Sequence, residues 1–93
     1  MANISRSEMH WHGEPCEVYW MLYLDRHDVI TVINVQDFDL YDYHSDKFVR
    51  NSKNEYHAFD EEEKAIAFLN KKYEKHQIDP EYWRGGDTFL IRD

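Results

Sequence analysis

The chain predicts an α+β fold: an antiparallel sheet of four to five strands with one main helix packed on one face. Three observations carry that expectation. Apolar residues alternate with a period of two through residues 17–24, a β-branched run follows one short break later, and a single strongly amphipathic helical segment occupies residues 60–76.

In EVYWMLYL, residues 17–24, an extended backbone places Val18, Trp20, Leu22 and Leu24 on one side and Glu17, Tyr19, Met21 and Tyr23 on the other. The break DRHD suits a hairpin loop, and VITVINV, residues 29–35, has β-branched residues on both faces, as an interior strand would. The next stretch, DFDLYDYHSD at residues 37–46, keeps the period of two but inverts its phase. Phe38 and Leu40 share a side with Asp42, His44 and Asp46, so a bulge or turn is expected near residues 40–42. KFVR reads as a short strand, NSKN as a turn, and EYHAF as the segment leading out of it.

Helix signals are clearest in DEEEKAIAFLNKKYEKH. Asp60 is placed to cap the first turn, Glu63 to reach back as in a capping box, and the three glutamates oppose the positive end of the helix dipole. Ala65, Ile66, Leu69 and Tyr73, with Phe68 beside them, form the stripe expected to pack on the sheet. Asp79-Pro80 repeats a helix start in miniature, and TFLIR, residues 88–92, is expected to return to the sheet as a last strand.

Ninety-three residues suffice for one domain, 1–93, whose first fifteen residues are expected to be loosely ordered. The apolar runs are much shorter than a membrane span and the N-terminus lacks a signal-peptide pattern, so no membrane association and a cytoplasmic setting are expected. Nineteen acidic against eleven basic residues, net charge −8, argue against direct nucleic-acid binding and favour a basic partner. Three glycines are too few for a phosphate-cradling loop or dinucleotide fingerprint, and no cofactor is expected.

Two groups could carry chemistry. His10 and His12 would point the same way on an extended chain with Cys16 nearby, all acceptable zinc ligands, and a Cys–His pair could activate sulfur. No second close ligand pair completes such a site, and His27, His44, His57 and His76 are scattered singly. A small metal-assisted or cysteine-dependent enzyme using His10, His12 and Cys16 is therefore the alternative reading. The other group is Asp37, Asp39, Tyr41, Asp42, Tyr43 and Asp46, where rings supply contact area and carboxylates can meet lysine or arginine of a partner. The same charges would also protect a sheet edge from self-association, and an exposed strand could instead pair with its own copy in a homodimer.

In its small size, acidity and aromatic content the chain resembles the broad class of phage-encoded inhibitors, including anti-restriction and anti-CRISPR proteins and host-takeover factors. Such proteins are generally stoichiometric binders, and many block nucleic-acid sites on their targets. The resemblance implies a non-enzymatic, acidic protein-binding module that covers a basic, nucleic-acid-binding surface of a target, a DNA mimic in the extreme case.

Overall fold

A computed structural model describes residues 4–37 and 42–84. Among them, four strands form one sheet: β1 (Met9–His12), β2 (Trp20–Leu24), β3 (Ile30–Asn34) and β4 (Tyr56–Phe59), in the spatial order β1-β4-β2-β3. One helix, α1 (Glu62–Lys72), follows β4.

β2 and β3 form the expected hairpin, with Trp20 opposite Asn34 and Leu24 opposite Ile30. Its tip is set by Asp25, whose carboxylate accepts from the backbone N–H of His27 at 2.7 Å and of Val29 at 3.3 Å, while Asp28 takes a positive φ of 62°. Asn51 plays the same part in the turn before β4. Its amide oxygen accepts from Lys53 and Glu55, and Asn54 adopts φ 67°.

The sheet is mixed, which corrects the antiparallel expectation. β4 pairs antiparallel with β2 but parallel with β1, Met9 facing Tyr56 and His12 facing Phe59. The N-terminal segment, expected to be loosely ordered, supplies that parallel strand. Its sequence, MHWH, is too short for periodicity to distinguish from a loop, and its partner strand lies 47 residues away. The region after β3 is not a strand in its described part. Backbone turns of 3-10 type occupy Val35–Asp37 and Ser45–Lys47, and only isolated bridges tie residues 48 and 50 to Tyr23 and Tyr56.

Both faces of the sheet are buried. Toward α1 lie Leu22, Ile30, Val32 and Phe59, packed on Ala65, Ile66, Leu69 and Ile78. On the other face Met9, Met21, Tyr23, Ile33, Tyr56 and Ala58 are covered by Tyr19 and Phe48 from the connecting segments. Two-sided burial explains the β-branched residues on both sides of β3.

The helix begins differently from the expected capping box. Glu61 takes the cap position with no side-chain hydrogen bond, while the Asp60 carboxylate is drawn to the Glu14 backbone N–H at 3.3 Å and the Lys64 ammonium at 2.9 Å. Asp60 therefore ties the helix start to the loop after β1. The Asp79-Pro80 signal makes only one 3-10 turn, Pro80–Tyr82, with Asp79 accepting from Glu81 N–H at 3.0 Å. The expected strand at residues 88–92 lies outside the described residues.

Candidate functional site

The six residues expected to bind a partner fall partly within the described structure. Asp37 ends a 3-10 turn after β3, and Asp39 and Tyr41 lie outside the described residues. Asp42 and Asp46 are exposed, and neither carboxylate is paired with a lysine, arginine or histidine of the chain among the described residues. Tyr43 is half-buried and meets Tyr23 edge-on with ring centroids 4.8 Å apart, so much of this ring serves the core. Tyr23 also accepts the His44 backbone N–H at 3.1 Å, fixing the segment that carries Asp42 and Asp46.

Two basic residues that follow, Lys47 and Arg50, are distributed differently. Lys47 lines the same broad, open cleft as Asp42, together with Asp25 and Arg26 at the hairpin tip. Arg50 instead lies over the Tyr56 ring, 5.4 Å from its centroid, in a cation–π contact.

The other group is rearranged by the fold. His10 and His12 do share a face, as an extended β1 requires, but Cys16 packs with the core on the opposite face and donates to the Val18 carbonyl at 3.0 Å. The residue brought to the histidines is His57. Parallel pairing sets it beside His10, and its Nδ1 lies 2.9 Å from His12 Nε2, a hydrogen bond in which one ring donates and the other accepts. The His12 ring stacks on Phe59 at 4.2 Å and is approached by Phe68 of α1 at 5.3 Å. Sequence reasoning missed His57 because only the pairing of distant strands places it there.

These imidazoles are kept neutral. His57, 6% exposed, is held down to about 4 by burial first, then by the proximity of His12, His10 and Lys72. His12 is lowered for the same main reason, with His10 and Lys64 adding to it. Near Lys64, the Asp60 carboxyl is held below its ordinary range chiefly by its hydrogen bond to that ammonium, which is raised in turn. Among the described residues no group of three histidine, cysteine or acidic side chains is arranged to hold a metal ion.

Residues 15–88 match the model of a family of unknown function, DUF8545. The chain belongs to this family. No curated protein and no solved structure matches it. The family match contains the acidic segment, His57 and α1, whereas His10 and His12 precede it. Family membership thus assigns no chemistry, and the two surfaces stand on their geometry: the exposed carboxylates of Asp42 and Asp46, without an ion pair among the described residues, and an imidazole pair at the edge of α1. No helix among the described residues is long and apolar enough to cross a membrane.

Proposed function

We propose that the protein is a non-enzymatic, stoichiometric binding module that uses the acidic segment around Asp42 and Asp46 to cover a basic surface of a partner protein, as an inhibitor of a nucleic-acid-binding target would. The observation that carries this reading is the absence, among the described residues, of any ion pair on either carboxylate in a chain with eleven lysines and arginines. Left exposed and unpaired, the two carboxylates keep their field available to cations on another molecule, where it accelerates encounter and fixes orientation. Tyr43, anchored against Tyr23, gives the segment a firm base, which lowers the ordering cost of binding.

The test is capture from a cell lysate on the immobilised protein, identification of the captured protein, and a salt series on the reconstituted pair. Replacing Asp37, Asp39, Asp42 and Asp46 by Asn is expected to weaken the complex and flatten its salt dependence, and duplex DNA is expected to compete for the partner. A complex of unchanged affinity and salt slope in the fourfold variant removes the acidic segment from the interface.

A further inference from the structure

Beside the imidazole pair, β1, β4 and α1 border a shallow, open cleft of about 310 Å³ lined by His12, Phe59, Lys64, Ala67, Phe68 and Lys71. Its chemistry is opposite to that of the rest of the molecule. In a chain of net charge −8, no carboxylate lines this cleft, and its ionisable groups are two lysines and a histidine. Its remaining walls are two phenyl rings and a methyl group.

We propose that this cleft binds a small carboxylate with a flat apolar body, the ring lying against Phe68 and the carboxylate meeting Lys71 and Lys64. The inference is independent of the acidic segment and concerns a different surface.

Size comes first. The volume lies at the lower end of small-ligand sites, roughly 300 Å³ and upward, which suits a single ring and not an extended chain. Order comes second: the His12 ring is fixed on both sides, by the 2.9 Å bond to His57 and by stacking on Phe59, so one wall is pre-formed. Charge comes third. Lys64 is already engaged by Asp60 at 2.9 Å, whereas Lys71 is exposed and has no ion pair among the described residues, which leaves it the cation with charge to offer. Lys72 stands over the same phenyl ring, 5.6 Å from the Phe68 centroid, and adds to the positive field.

A metal cation is the poorer occupant. Lys64 and Lys72 act on the same imidazoles that would have to hold it, and no third donor converges with His12 and His57. Inorganic phosphate is also a poor fit, because it would leave the phenyl walls wet and find no arginine fork in the cleft.

The groups facing His12 are His10 on β1, His57 on β4 and Lys64 on α1, with Asp60 behind the lysine; Glu55 approaches His10 at 3.8 Å. A bound anion would offset the cationic part of this field. Its binding is therefore linked to proton uptake by His12 and strengthens as the pH is lowered toward the histidine range.

The experiment is an NMR titration of the full chain with benzoate, following the backbone amides of Ala67, Phe68 and Lys71 and the His12 ring. Benzylamine, inorganic phosphate and zinc serve as comparison probes. Saturable shifts with benzoate, a higher titration midpoint for His12 in its presence, and about threefold to fivefold weaker binding by Lys71→Met support the site, since an exposed charge pair contributes up to about that factor. Lys71 is exposed, so this variant is expected to fold. Absence of saturable shifts, equal binding of benzylamine, or unchanged affinity in Lys71→Met overturns the proposal, as does zinc binding to His12 and His57 with no response to benzoate.

Discussion

At the scale of single residues, the His12–His57 contact makes a pH prediction whose sign follows from burial. His57 titrates at about 4 in the folded chain against an ordinary 6.5, so its neutral form is the one that folding favours. The stability this represents is fully present above about pH 6.5 and is lost as the pH falls through 4, to a total of about 3 kcal/mol. Chemical denaturation at a series of pH values is expected to show this acid limb, and His57→Phe is expected to flatten it. Gly13 supplies a second prediction. Its φ of +116° is unfavourable for other residues, and a Cβ there would overlap the Asp60 carboxylate that anchors the start of α1. Gly13→Ala is expected to cost about 1–3 kcal/mol, read as a lower denaturation midpoint with unchanged slope.

At the scale of elements, α1 is held from both sides by contacts of different legibility. Its apolar stripe was plain in the sequence, and the residues expected there, Ala65, Ile66 and Leu69, are buried on the sheet. Leu69→Ala, at a fully buried position, is expected to cost about 2–5 kcal/mol. Asn70 was not legible, because an asparagine beside a helical stripe ordinarily faces water. Here it is 7% exposed, donates to the Ile66 carbonyl at 2.8 Å and the Tyr82 carbonyl at 3.0 Å, and accepts from the Arg84 N–H at 2.8 Å. It thus stitches the segment after the helix back onto it. Asn70→Leu takes that partner from the Tyr82 carbonyl and the Arg84 N–H and is expected to cost about 2–4 kcal/mol, with the Trp83 emission shifting as its surroundings loosen.

At the scale of the whole molecule, charge and topology are separate matters. Among the described residues Lys64–Asp60 is the one ion pair between a lysine or arginine and a carboxylate, and a net charge of −8 makes the compact chain repel itself. Raising sodium chloride from about 10 to 150 mM, which shortens the Debye length from roughly 30 to 8 Å, is expected to raise the melting temperature. The hairpin and the helix were readable because each is encoded by neighbours in sequence. The parallel strand was not, since MHWH means nothing until Tyr56–Phe59 is set beside it, and with it went the histidine pair, assembled from one residue of each strand.

The fourth strand sits between the first and the second, so the N-terminal tetrapeptide can take its place in the sheet only once residues 56–59 have been made. Closing so long a loop before any reward is gained slows folding relative to a simple meander. Until then Trp11 and its neighbours remain in water, and the growing chain is most vulnerable to aggregation in that interval.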